Sequence, residues 1–227
     1  MFDVEAARLC AILLAQEHVS PLLNLGSSTG NYRERAKPHI EARLFRPLRE
    51  AGVAVFHCDL KEAEGIDLSG DILDPSVRAR LKAMGFRCVL LANVLEHVRE
   101  RAAVIAACEE IVGPGGRVLA SVPSSYPYHA DPLDTGFRPS GAELAAGFTQ
   151  SRPLLEEELD GQTFAQQIAA SGSSLWREIA QTALRTLTFP YRPRSARAQI
   201  DRWRWYRRRY RVAIALVEVR PSATTSS

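Results

Sequence analysis

Short apolar runs rich in branched residues recur along the chain at 21–26, 53–60, 65–72, 88–94 and 116–123, separated by polar and glycine-containing stretches. Several are too continuous for strands with one wet face, so they read as strands buried on both sides. Segments with helical spacing lie between most of them: Val4 to Val19, Tyr32 to Ala51 broken at Pro38, Pro75 to Met84, and Glu100 to Val112. Strand–helix alternation of this kind implies parallel strands joined by right-handed crossovers. The run YRVAIALVEV, 210–219, reads as the last strand and 148–158 as a weaker one, while 160–209 holds helical pieces and prolines expected to form a cap or insertion.

Composition adds bounds to this pattern. At 227 residues and 46% hydrophobic content the chain has material for a sizeable core, and one domain over residues 1–220 is expected, with a frayed polar tail at 221–227. The N-terminal stretch carries acids where a secretory signal has bases, and its apolar run around Leu13 is too short to span a bilayer; a cytoplasmic location is expected. Four cysteines, Cys10, Cys58, Cys88 and Cys108, form no C-x-x-C pair and are expected to be reduced, buried thiols. Of 29 basic and 26 acidic residues, nine arginines and one acid fall between Arg192 and Arg211, which leaves 20 bases against 25 acids elsewhere. The net charge of +3 therefore hides a basic segment on a mildly acidic body.

The candidate chemistry begins at LLNLGSSTGNY, residues 22–32, where an apolar run stops in small residues. In an open parallel sheet, ligands bind beyond the carboxyl ends of the strands, and the turn after the first strand usually touches them. Bare backbone there lets a ligand approach, and free N–H groups at the start of the next helix are expected to meet an anionic group. The small residues Gly26, Ser28 and Gly30 are spaced i, i+2, i+4, with Asn31 where a dinucleotide fingerprint has its third glycine, so NAD is disfavoured. A P-loop would need Gly-Lys-Ser/Thr where the chain has Asn31, Tyr32 and Arg33, which disfavours nucleoside triphosphates.

At these residues the sequence resembles the class I S-adenosylmethionine-dependent methyltransferases, in particular the type 11 group. Their first motif is an apolar strand ending in an acid and then G-x-G-x-G; here it reads Asn24-Leu25-Gly26-Ser27-Ser28-Thr29-Gly30, with Asn24 in place of the acid and Ser28 in place of the middle glycine. VAVFHCDL ends in Asp59, with Leu60 next, and GIDLSGDI ends in Asp71 and Ile72. The resemblance implies that Asp59 accepts hydrogen bonds from both ribose hydroxyls, and that Asp71 and the Ile72 N–H meet the adenine. LLANVLEHV supplies Asn93, Val94 and Glu96, and the resemblance sets Asn93 opposite Gly26 across the methionine part of the cofactor. PGGRVLASVP comes next as a fifth strand, so the matched motifs span roughly 20–145 in order. The resemblance further implies an α/β, Rossmann-like doubly wound sheet of seven strands in the order 3-2-1-4-5-7-6, the last antiparallel, with helices on both faces. Without the resemblance, Asp59 and Asp71 read as turn residues or helix caps.

Methyl transfer from a sulfonium starts from an activated donor, so the protein mainly holds nucleophile and methyl group in line. An oxygen nucleophile usually needs a base, and His97 and His129 are the candidates. His97 reads alternatively as a helix-start residue bonded to backbone, and Glu96 could orient it or touch the cofactor. The loop PSSYPYHADPLDTGFRPS places Tyr126, Tyr128, His129, Asp134 and Arg138 where this fold builds its acceptor pocket. The spacing His129-x-Asp131-x-x-Asp134 is a poor metal triad on one loop, and Asp67, Ser69 and Asp71 do not fit a calcium loop; no metal is expected. A small-molecule or glycan intermediate is the expected acceptor. RWRWYRRRY suits phosphate contact and base stacking, so an RNA-modifying enzyme or nucleic-acid module is the main rival. Against it, Ile200, Trp203, Tyr206 and Tyr210 fall near one helical face, where the aromatics would simply pack. Cofactor binding without turnover, or membrane-surface attachment through the same segment, are lesser alternatives.

Overall fold

The computed structural model describes residues 1–128, 133–170, 172–187 and 200–221. Its centre is one seven-stranded sheet in the order β3-β2-β1-β4-β5-β7-β6, built from β1 (Leu22–Leu25), β2 (Val55–Asp59), β3 (Leu68–Ser69), β4 (Cys88–Ala92), β5 (Arg117–Ser125), β6 (Ser151–Thr163) and β7 (Arg209–Val219). The pairs β1–β2, β1–β4, β2–β3 and β4–β5 are parallel, whereas β7 runs antiparallel to both β5 and β6. Order and directions are those the family resemblance implies.

The continuous apolar runs work because the sheet is covered on both faces. Alternate residues of each strand point to opposite sides: Leu23, Leu25, Val89, Leu91, Val118 and Ala120 enter one core with α4 (Pro75–Ala83), α5 (Arg101–Val112) and α6 (Gly141–Ala146). Leu22, Cys88, Leu90 and Leu119 enter the other, with α1 (Asp3–Leu14), α2 (Pro38–Ile40) and α3 (Arg46–Glu50). All four cysteines are free and buried.

Four details depart from the sequence reading. The expected strand 65–72 shrinks to Leu68–Ser69, since Gly65 and Gly70, at φ of 78° and 145°, turn the chain on either side of it. The stretch from Tyr32 is a chain of π-helical turns, Tyr32–Ala36 and Glu41–Phe45, alternating with α2 and α3. Pro38 and Pro47 lie in the first turns of α2 and α3, where the missing N–H costs little. The weak strand near 148–158 is a full edge strand, β6, and the loop after β5 ends in α6, capped by Ser140 and Glu143 bonding reciprocally. The region between β6 and β7 includes α7 (Phe164–Ala170) and α8 (Leu175–Leu187).

Finally, Ile200, Trp203, Tyr206 and Tyr210 do not share a helix: the helical turn covers 200–204, and Tyr210 lies in β7. The aromatics nevertheless pack, with Trp203 edge-on to Phe164 at 5.5 Å and Trp203, Trp205 and Tyr206 against buried Phe164 and Tyr210. Residues 192–199, including three of the basic segment's arginines, and 222–227 of the tail lie outside the described residues. No helix among the described residues is long and apolar enough to cross a membrane.

Candidate functional site

The turn after β1 is held in shape by its own surroundings. Gly26 has φ of 69° and Ser28 of 55°, left-handed values that suit glycine and that serine adopts only when compensated. Compensation comes from β2, because the Ser28 N–H donates to Asp59 Oδ2 at 2.8 Å and the Ser27 N–H to the Cys58 carbonyl at 3.0 Å. The Gly30 N–H donates to the Glu64 carbonyl, and a Cβ on Gly65 would sit 2.6 Å from the Gly30 Cα. Buried Arg33 closes the back of the turn, its guanidinium donating to the Ser27, Ser28 and Gly65 carbonyls. Burial lowers the pKa of Arg33 from its ordinary value.

These bonds correct the expectation of a free N–H cradle. The N–H groups of Ser27, Ser28 and Gly30 are spent on β2 and the 64–65 loop, and the helical turn that opens at Gly30 passes at once into the π-helical stretch Tyr32–Ala36. Thr29 serves the chain as well, its hydroxyl accepting from the Tyr32 N–H.

Asn24 does not reach the edge. Its amide lies 3.0 Å from Nδ1 of His57 on β2, both side chains buried. The ring accepts because it is neutral: burial, and then the charge of Arg33, push His57 down to about 4. Phe45 meets the same ring edge-on at 4.8 Å.

The remaining predicted residues collect at the carboxyl ends of the strands. Asp59 ends β2; its Oδ1 accepts only a long bond from the Lys61 N–H, 3.3 Å, beside the Ser28 bond on Oδ2. Leu60 next to it is 71% exposed, an apolar side chain turned outward at a strand end. Asp71 lies two residues beyond β3, where its Oδ1 accepts from the Leu73 N–H at 2.9 Å as in an ordinary Asx turn, and the Ile72 side chain is buried in the core. Val94, just past β4, fills the space a side chain at Gly26 would take: a Cβ on Gly26 would lie 2.5 Å from Val94 Cγ2.

Asn93 has φ of 56° and turns its amide toward α1, donating to Glu5 Oε1 at 2.7 Å. Glu5 is fully buried; the same oxygen accepts from the Ser121 hydroxyl of β5 at 2.8 Å, and Oε2 accepts from the Phe2 N–H at 3.0 Å. Glu96 is buried too, with no hydrogen-bond partner on Oε2. Desolvation pushes its pKa up to about 7, with the Glu5 charge adding to the shift and His97 opposing it. His97 directs Nδ1 to the Leu133 carbonyl and Nε2 to within 3.8 Å of Glu96 Oε1. The His97 ring thus has a structural tie of the kind expected for the non-catalytic alternative.

In the loop after β5, Asp134 and Arg138 serve each other. The buried Asp134 carboxylate takes both guanidinium nitrogens, at 2.5 and 3.1 Å, and also accepts from the Gly136 N–H. Thr135 fastens the same loop to the Glu96 carbonyl. Tyr126 is half-buried against Phe2 and Tyr210, ring centroids 6.0 and 4.7 Å away, whereas Tyr128 is exposed. His129 and Asp131 lie outside the described residues. Sequence reasoning missed Glu5, Arg33, His57 and Ser121, and the only available signal was an acid inside the apolar spacing of the first helix.

No protein-family model and no curated protein matches the chain in sequence. Its fold matches many solved methyltransferase structures. Against a candidate methyltransferase from Bacillus halodurans C-125 the TM-score is 0.57 at 11% identity, covering 96% of this chain and 100% of that one. A candidate sarcosine dimethylglycine methyltransferase from Galdieria sulphuraria gives 0.55 at 12% identity, covering 95% and 83%. For a SAM-dependent methyltransferase from Archaeoglobus fulgidus the values are 0.50, 14%, 95% and 94%. The chain has the class I methyltransferase fold.

Proposed function

We propose that the protein is an S-adenosylmethionine-dependent methyltransferase acting on oxygen or nitrogen of a small molecule. The observation that carries this reading is a convergence: the turn after β1 touches the tip of β2 through the Ser28–Asp59 bond and the tip of β4 through the Gly26–Val94 contact. Two features fit the cofactor. Asp59 Oδ1 keeps hydrogen-bonding capacity beside the exposed side chain of Leu60, a pairing suited to a ribose diol and the base attached to it. Buried Glu96 carries an orphaned oxygen suited to a cationic partner.

When bound, the cofactor supplies an activated methyl group. The chain's own part is positioning: Asp59 and Leu60 would hold the adenosyl end, Gly26 and Val94 the middle, and Glu96 the positive end. Packed Phe2, Tyr126 and Tyr210 help exclude water from the acceptor side. His97 is at most a positioning residue, since its ring is tied to Leu133 and faces Glu96.

Calorimetric titration with S-adenosylmethionine tests the reading, and saturable binding is expected. Asp59→Ala should weaken it by about 1–3 kcal/mol, the cost of leaving polar partners unmatched. Absence of binding to the wild-type protein would remove the proposal, and unchanged affinity in the variant would remove Asp59 from the site.

A further inference from the structure

An open pocket of about 350 Å³ lies away from the glycine turn, lined by Ser125, Asp160, Arg208, Arg209 and Arg211. That volume falls within the roughly 300–1,000 Å³ of small-molecule sites. Ser125, Arg211 and Asp160 form one register row across β5, β7 and β6, so the pocket sits at the carboxyl edge of the sheet.

The three guanidiniums are not equivalent. Arg211 is neutralised by Asp160 at 3.0 Å and Glu158 at 3.6 Å. Arg208 is oriented by uncharged partners, its Nη2 donating to Ser125 Oγ at 3.2 Å while Cζ lies 4.4 Å over the Trp205 ring. Arg209 makes one long contact, 3.5 Å, to the Gly161 carbonyl. A cation held in place by a hydroxyl and an aromatic face keeps its charge uncompensated and its remaining donors oriented, an arrangement that receives an oxyanion at little ordering cost.

We propose that this pocket binds an anionic group, phosphate or carboxylate, on the acceptor molecule. The proposal deepens the methyltransferase reading and rests on it for the word acceptor; the anion site itself does not. It narrows the substrate class to acidic small molecules.

The test is calorimetric titration of the whole protein with inorganic phosphate at constant ionic strength, in parallel with S-adenosylmethionine. Saturable phosphate binding is expected, weakened at least about tenfold in Arg208→Gln and in Arg209→Gln, as for the loss of a charge-assisted hydrogen bond. Arg204→Gln, whose partner is Asp201 and which lies outside the pocket lining, should leave it unchanged. If the glutamine variants fail to fold, Ser125→Ala removes only the hydroxyl that orients Arg208, and it too should weaken phosphate binding. No saturation, or binding indifferent to Arg208, Arg209 and Ser125, overturns the proposal. So does displacement of phosphate by a short RNA with a steep salt dependence, which assigns the arginines to a nucleic-acid backbone instead. S-adenosylmethionine binding without phosphate binding sinks the pocket alone; phosphate binding without S-adenosylmethionine binding sinks the methyl-transfer reading alone.

Discussion

At the β1–β2 end of the carboxyl edge the chain is shaped by backbone: N–H groups of Ser27, Ser28 and Gly30 reach β2 and the 64–65 loop, and Arg33 caps the carbonyls from behind. At the β5–β7–β6 end it is shaped by side chains, through Asp134–Arg138, Arg211 with Asp160 and Glu158, and an aromatic cluster around Tyr210. The first region depends on backbone groups of the β1 turn meeting β2, 31 positions along at Ser28–Asp59, and on missing side chains. The second depends on charged side-chain pairs, local at Asp134–Arg138 and joined across strands at Arg211.

The largest effect should come from the acceptor side. Asp134 is fully buried at its side chain and holds both nitrogens of Arg138. Arg138→Gln leaves that carboxylate without its counter-charge, at about 3–5 kcal/mol of stability read by denaturant unfolding. Affinity for S-adenosylmethionine should barely change. A comparable loss of cofactor affinity would show that the two ends are not independent.

Next in size is Gly26→Ala. The residue's φ of 69° and the 2.5 Å approach of Val94 Cγ2 to an added Cβ combine strain with overpacking, about 2–4 kcal/mol in all. Adding Val94→Ala relieves the overpacking and leaves the strain, so the double variant should regain part of the stability. Here cofactor binding should fall along with stability, the converse of Arg138→Gln.

The contrast also accounts for what could be read from sequence. The parallel strands and the placing of Gly26, Asp59 and Asn93 at their ends were legible because period-two and helical patterns, and a turn stripped of side chains, are local signals, whereas the strand order came only with the family resemblance. Strand β3 was overestimated because apolar residues between Gly65 and Gly70 cannot reveal that the glycines cut it short. Asn24 was misplaced because its partner, His57, comes from a neighbouring strand and shows no local mark. Glu5 joins α1 to Asn93 and Ser121 over separations of 88 and 116 residues, which no short motif could announce.

The smallest effect on the wild-type protein should be its pH dependence at mild acidity, because two buried groups titrate in opposition. Glu96, raised from 4.5 to about 7, binds a proton more tightly folded than unfolded. Its contribution is complete below pH 4.5 and is lost as pH rises toward 7. His57, lowered from 6.5 to about 4, is held neutral in the fold, so its contribution is present above 6.5 and is lost as pH falls toward 4. Between about 4.5 and 6.5 each gives a slope of about 1.4 kcal/mol per pH unit, with opposite signs. Glu96→Gln should uncover the His57 slope, so that stability from urea unfolding rises with pH relative to wild type across that window. Identical profiles for the two proteins would mean that Glu96 is ionised in the fold, with its orphaned oxygen open to water.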